Sequence, residues 1–255
     1  MSNFDRNANH GYGAGFARAG TAEIDQGLRA YMLGVYNYMV LGLAVTGLAA
    51  LGTNMLAVAQ GAGKSIVLTP FGQAIYLSPL KWVVIFAPLA FVFFLSARAN
   101  SLSAATARNL FLAFAAVMGL SLSTALIVFT GASVARVFFI TSAAFGGLSI
   151  YGYMTKRDLS AFGSFLVMGV WGLVIAGVAN MFLQSTGLQF ALSILSVLIF
   201  AGLTAWDTQS IKDMYYAGDG WEVAQKKSVF GALSLYLDFI NMFQALLSLL
   251  GDRRD

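Results

Sequence analysis

The strongest constraint on the fold is a series of uninterrupted apolar runs, each close to the ~20 residues that an α-helix needs to cross a bilayer. Membrane-spanning β-strands would instead be about ten residues long and alternate in polarity. The sequence therefore predicts an all-α integral membrane protein. The expected fold is a seven-transmembrane-helix bundle that forms one domain over residues 29–255. Its helices are expected at about 31–52, 82–97, 107–130, 133–153, 161–183, 187–210 and 228–250.

The composition agrees with a membrane environment and excludes several classes of function. Hydrophobic residues make up 58% of the chain and charged residues 10%, whereas a soluble domain is about 25% charged. The absence of cysteine excludes disulfides, thiolate metal sites and cysteine nucleophiles. The net charge of +4 is not gathered into a dense basic patch, so nucleic acid is not an expected partner. The partner that the composition does predict is the lipid bilayer.

The distribution of Lys and Arg predicts the orientation in the membrane. Residues 1–28 form a polar tail without the central apolar region of a signal peptide. If this tail is cytoplasmic, the inner side carries the larger share of positive charge, as the positive-inside rule requires. The inner set is Arg6, Arg18, Arg29, Arg98, Arg108, Lys156, Arg157, Lys212, Lys226 and Lys227, and the outer set is Lys64, Lys81, Arg136, Arg253 and Arg254.

Two aspartates interrupt the last two apolar runs. Asp207 lies in FAGLTAWDTQSIKDMYY and Asp238 in ALSLYLDFINMFQALLSLL. Placing a carboxylate near the centre of a bilayer costs about 2.5–3.5 kcal/mol on insertion scales, so such residues usually belong to an ion or proton path or have a polar partner. These two residues are the candidate functional site.

Their positions predict that the two carboxyl groups meet. The sixth and seventh helices are antiparallel and joined by a short loop, and at 1.5 Å per residue the two aspartates reach similar depths. Two carboxylates in a poorly solvated site cannot both ionise cheaply, so they would share a proton near neutral pH. When both are ionised, they offer hard oxygen ligands to Ca²⁺. Further hydroxyl and amide groups are expected from Thr204, Gln209, Tyr236 and Asn241.

A purely structural interpretation is that each aspartate pairs with an arginine that locks the bundle. Arg98, Arg108 and Arg136 all lie near membrane ends and are candidates for this role. The two interpretations are compatible, because an arginine that releases an aspartate on protonation would act as a gate.

The sequence resembles the Bax inhibitor-1 family, also called the transmembrane Bax inhibitor motif family, over about residues 30–250. The pieces that carry the resemblance are TSAAFGGLSIYGYMTKRDLSAFGSFL, FAGLTAWDTQSIK and ALSLYLDFINMFQALLSLL. The length and the lack of cysteine are typical of a bacterial member, so a multi-pass protein of the bacterial inner membrane is expected.

The resemblance implies a bundle with the seventh helix at its centre and a pH-sensitive Ca²⁺ leak across the membrane. The aspartate pair of the family falls on Asp207 and Asp238, which would sense protons and bind Ca²⁺ as the permeant ion, without any other cofactor. A basic residue at the end of the second helix latches this pair in the family, and Arg98 is its best match. Some bacterial relatives are thought to modulate a membrane-bound AAA protease, which would make the chain a partner protein.

An enzyme is not expected, although intramembrane aspartyl proteases also use two helix-borne aspartates. Those enzymes need Gly-x-Gly-Asp, and this chain has Ser-Leu-Tyr-Leu before Asp238. The only histidine, His10, lies in the tail, which leaves no histidine base for a serine-type intramembrane protease and too few ligands for zinc.

A proton-coupled cation transporter remains an alternative, because it would also use titratable carboxylates in a bundle. Such transporters often have inverted repeats or broken helices. Seven segments do not divide evenly into repeats, and Pro88 is the one proline inside a segment.

Overall fold

A computed structural model gives the arrangement of residues 8–60, 66–99 and 101–254, with side chains described for all of these except 8–25, 60 and 66. Helices account for nearly all of the described chain. Its elements are α1 (Ala8–Ala57), β1 (Val58–Gln60), β2 (Ile66–Leu68), α2 (Pro70–Tyr76), α3 (Leu80–Arg98), α4 (Ala104–Val128), α5 (Gly131–Met154), α6 (Ser160–Leu183), α7 (Thr186–Asp213) and α8 (Trp221–Leu250).

The seven predicted transmembrane helices are confirmed. Seven helices of the described chain are long and apolar enough to span a membrane, and they are α3 to α8 together with the part of α1 from Gln26 onward. Several begin where a hydroxyl side chain caps the first free backbone N–H groups. The hydroxyls of Ser103, Thr130 and Ser185 accept hydrogen bonds from the backbone three residues further on. These caps allow short connections between consecutive helices.

The sequence did not predict the connection between α1 and α3. The antiparallel strands β1 and β2 form a small hairpin, and α2 follows, with the Thr69 hydroxyl accepting a hydrogen bond from the Gly72 backbone. Lys64, counted above on the outer side, lies outside the described residues. So do residues 1–7 of the predicted N-terminal tail, whereas the backbone from Ala8 onward is already part of α1.

The centre of the bundle is α8. Of the most apolar stretch of α8, 56% of the residues are buried, compared with 11–28% in the other six spanning helices. Helices α1, α4, α5 and α7 all pack against α8, whereas α3 packs on α4 and α6 packs on α7. The seventh spanning helix is therefore surrounded by protein over most of its length, and Asp238 is buried within it.

Helix α5 approaches the backbone of α7 closely at Gly152. A Cβ atom at this position would overlap the backbone carbonyl group of Ala205, two residues before Asp207. Small residues such as glycine permit this kind of backbone contact between membrane helices. By contrast, a Cβ atom at Gly146 or Gly147, on the same helix, would meet no described atom within 4 Å.

Candidate functional site

The candidate site lies where α7 and α8 pack against each other. Asp207 is six residues before the end of α7, and Asp238 is near the middle of α8. The two helices are antiparallel, and their packing brings the carboxyl groups within hydrogen-bonding reach of each other. Asp207 is partly buried, and Asp238 is only 4% exposed. The carboxyl group of Asp238 is thus held inside the protein with the other aspartate as its acidic neighbour.

One oxygen of this pair lacks a hydrogen-bond partner. Among the described residues, no donor reaches Oδ2 of Asp238. A buried polar atom without a partner is rare in native structures and usually points to a bound water, an ion or a functional role. Apart from a proton shared with Asp207, this oxygen has no described donor and is available to a water molecule or a cation.

The arginines considered as partners of the aspartates lie elsewhere. Within the described parts of the chain, no lysine or arginine contacts either carboxyl group. Arg136 instead forms a 2.8 Å ion pair with Asp252 at the C-terminal end. Arg108 is exposed near the start of α4. The arginine lock is therefore not formed in this structure.

Arg98, the predicted latch, is exposed in the last turn of the peripheral helix α3. Its guanidinium carbon lies 6.0 Å from the centre of the Phe94 ring on the same helix. This contact is compatible with a cation–π interaction. The role of Arg98 as a latch stays a prediction.

The four accessory polar residues divide into two groups. Thr204 is fully buried one turn before Asp207, and its hydroxyl donates to the carbonyl oxygen of Phe200. Asn241 lies one turn beyond Asp238, and its amide donates to the carbonyl oxygen of Leu237. These two residues flank the carboxyl pair along their own helices.

The other two accessory residues, Gln209 and Tyr236, use their polar groups away from the pair. The Tyr236 hydroxyl lies 2.6 Å from the Thr46 hydroxyl on α1, and its ring packs edge-on against Phe111 and Phe114. The amide of Gln209 accepts from the backbone N–H of Leu159 at 2.9 Å and donates to the carbonyl oxygen of Arg157 at 2.8 Å. Gln209 therefore clamps the α5–α6 turn onto α7.

We expect Gln209→Leu to destabilise the fold by about 1–3 kcal/mol, because it leaves backbone groups of a partly buried turn without partners. Thermal unfolding of the purified protein in detergent measures this effect. The matched control is Gln184→Leu, since Gln184 is exposed at the α6–α7 turn. The clamp is contradicted if both variants unfold at the temperature of the unmodified protein.

Comparison with known proteins supplies the family. The family model described as "Inhibitor of apoptosis-promoting Bax1" matches residues 28–255. The chain belongs to the Bax inhibitor-1 family. Relatives include the uncharacterized protein RP147 of Rickettsia prowazekii, 45% identical over 91% of this chain and 93% of the relative. The inner membrane protein YbhL of Escherichia coli is 42% identical over 89% of this chain and 94% of the relative.

In this Bax inhibitor-1 family protein, a chain of hydroxyls leads from the bundle surface to the residue beside Asp207. The hydroxyl of Tyr36 on α1 lies 2.6 Å from that of Ser149 on α5, which lies 3.0 Å from that of Thr208 on α7. Thr208 in turn donates to the carbonyl oxygen of Thr204. No pattern in the sequence indicates this chain of hydroxyls, because isolated hydroxyl residues are common in membrane helices.

The site of this Bax inhibitor-1 family protein offers two carboxyl groups as its ligands for a cation. Ca²⁺ takes six to eight oxygen ligands, and two carboxylates supply four oxygen atoms. The described residues contain no cluster of three or more His, Cys, Asp or Glu side chains that could hold a metal ion. A cation at this site would need water or backbone carbonyl groups as its remaining ligands. Such incomplete coordination favours transient binding over permanent retention of a metal.

Proposed function

We propose that this protein is a pH-sensitive Ca²⁺ leak of the bacterial inner membrane, with Asp207 and Asp238 as proton sensor and cation site. The observation that carries the proposal is the buried carboxyl pair on two packed spanning helices, with one Asp238 oxygen free of any described partner. The inner-membrane location is supported by the relative YbhL, which is named an inner membrane protein.

The carboxyl pair is suited to gating because the gain or loss of one proton changes its net charge at a modest cost in free energy. Two carboxyl groups in contact hold one proton between them more easily than they tolerate two negative charges. Since no described lysine or arginine contacts them, loss of that proton leaves repulsion across the α7–α8 interface. Ca²⁺ relieves this repulsion, and so the same oxygens bind either a proton or the cation.

The competition between protons and Ca²⁺ fixes the sign of the expected pH dependence. Because the bound cation requires ionised carboxylates, lowering the pH should weaken apparent Ca²⁺ affinity by up to about tenfold per pH unit for each proton displaced. Ca²⁺ entry into proteoliposomes measures this, with a Ca²⁺-sensitive dye in a lumen of constant pH and external pH between about 5 and 8.

The matched control is Asp213→Asn, which neutralises an exposed carboxylate in the last turn of α7 and should leave the pH response unchanged. Ca²⁺ entry that is absent at every pH would refute the leak. Entry accompanied by a stoichiometric counterflow of protons would instead indicate the transporter alternative.

A further inference from the structure

A polar cavity lies between α6, α7 and α8, and Asn241, one turn beyond Asp238, is among its lining residues. Its volume is about 370 Å³, which is large enough for several water molecules. Its lining includes seven neutral polar side chains, an unusual concentration for membrane-spanning helices. They are Asn180, Gln189, Ser193, Ser196, Asn241, Gln244 and Ser248.

Three of the four lining residues of α8 lie on the same face as Asp238. Positions 241, 245 and 248 follow position 238 at intervals of three or four residues, which places all of them along one stripe of a helix. At 1.5 Å per residue, Asn241 is about 5 Å and Ser248 about 15 Å from Asp238 along the axis. The stripe thus runs from the buried carboxyl group to the end of α8 near the C-terminus.

The lining residues of α7 form a matching stripe. Positions 189, 193, 196, 200, 203 and 207 are again spaced by three or four residues, and the last of them is Asp207. The first four line the cavity, and Phe200 is the lining residue of α7 nearest to Asp207. The two stripes therefore lead toward the carboxyl pair, and on α7 the apolar residues Phe200 and Leu203 lie between the cavity and Asp207.

We propose that this cavity is the aqueous access route to the carboxyl pair from the end of the bundle where α8 finishes, and that Phe200 separates its water from Asp207. The identity of the ion that would use the route rests on the proposed function, whereas the presence of water in the cavity does not. Amide and hydroxyl groups can replace part of the hydration of a cation without holding it permanently. Asp238, whose buried Oδ2 accepts no hydrogen bond from a described donor, is one turn from the cavity residue Asn241.

The natural absence of cysteine makes the route directly testable, since a single introduced thiol is the only one in the protein. The test variants are Gln244→Cys and Ser248→Cys in the cavity, and the matched control is Leu198→Cys, which is 62% exposed on the outer surface of α7. Each is reconstituted in proteoliposomes and treated, from one side at a time, with a charged, membrane-impermeant methanethiosulfonate.

We expect both cavity thiols to react roughly tenfold or more faster than the control from one side only, because the reacting thiolate forms in water and not in hydrocarbon. A second measurement uses Leu203→Cys, which lies between Phe200 and Asp207 and is buried; its thiol should be inert by itself and should become reactive when Phe200→Ala is added. Folding of every variant is checked by its thermal unfolding and its elution as a single species.

The outcomes separate this inference from the proposed function. Cavity thiols as inert as the control would overturn the aqueous route, whether or not Ca²⁺ flux was observed. Reactive thiols with no Ca²⁺ flux in the unmodified protein would support the water route and refute the leak. Reactive thiols whose modification leaves an existing Ca²⁺ flux unchanged would exclude the cavity from the ion path.

Discussion

Asp238→Asn is expected to flatten the pH dependence of Ca²⁺ flux and to lower the flux at the alkaline end of the range roughly tenfold or more, because the site loses half of its anionic charge. Asparagine has nearly the same shape as aspartate and can donate a hydrogen bond to Asp207. The variant therefore removes the titration of Asp238 and the repulsion between the two carboxylates while preserving packing against the helices around α8. Flux into dye-loaded proteoliposomes, measured across the same pH range as for the unmodified protein, provides the readout.

Two further variants give this experiment its controls. Asp207→Asn should have an effect of the same kind, since either substitution leaves a single carboxyl group. Asp213→Asn should behave like the unmodified protein because its carboxylate is exposed. If Asp207→Asn and Asp238→Asn both keep the pH dependence of the unmodified protein, the gate proposed here is wrong. A biological effect that survives both substitutions would favour modulation of a membrane-bound protease.

Gly152→Ala is expected to destabilise the protein by about 1–3 kcal/mol, because an added methyl group must be accommodated in a fully packed helix contact. The new Cβ atom would overlap backbone atoms of Ala205, which cannot rotate away as a flexible side chain could. Helices α5 and α7 must therefore move apart, and the displacement occurs two residues from Asp207. Thermal unfolding in detergent measures the stability, and the flux assay shows whether the pH response shifts as well.

The matched control for this substitution lies on the same helix. Gly147→Ala adds the same methyl group where no described atom lies within 4 Å, so its only expected effect is the small gain in helix propensity from replacing glycine. Equal unfolding temperatures for the two variants would contradict the close contact between α5 and α7. A destabilised Gly152→Ala variant with normal flux would separate the helix contact from gating.

The sequence by itself determined the class of fold and the helices. A long apolar run in a bilayer must satisfy its backbone hydrogen bonds internally, which leaves the helix as the structure for each segment. The predicted segment 161–183 corresponds to Ser160–Leu183, whereas α8 begins at Trp221 instead of 228 and the spanning part of α1 is Gln26–Ala57 instead of 31–52. The hairpin and α2 after α1 were missed, because they lie outside the apolar runs and depend on local turn chemistry at Thr69.

The depth of the two aspartates could also be estimated from the sequence, since the rise per residue is fixed and α7 and α8 are joined by a short loop. The hydrogen-bond partners of the other polar residues could not be predicted from the sequence. Gln209 contacts a turn about 50 positions away, and Tyr236 contacts Thr46 on α1. Nothing in the local pattern of either residue indicates these contacts.

The rotation of each helix about its own axis was decided only by the tertiary structure. Hydropathy changes little around an apolar helix. The sequence therefore indicates how deep in the membrane a residue lies, but not which neighbouring helix the residue faces. Side-chain packing sets that rotation through contacts such as Gly152 with Ala205. The same packing turns the polar stripes of α7 and α8 toward one cavity and brings Asp207 and Asp238 together.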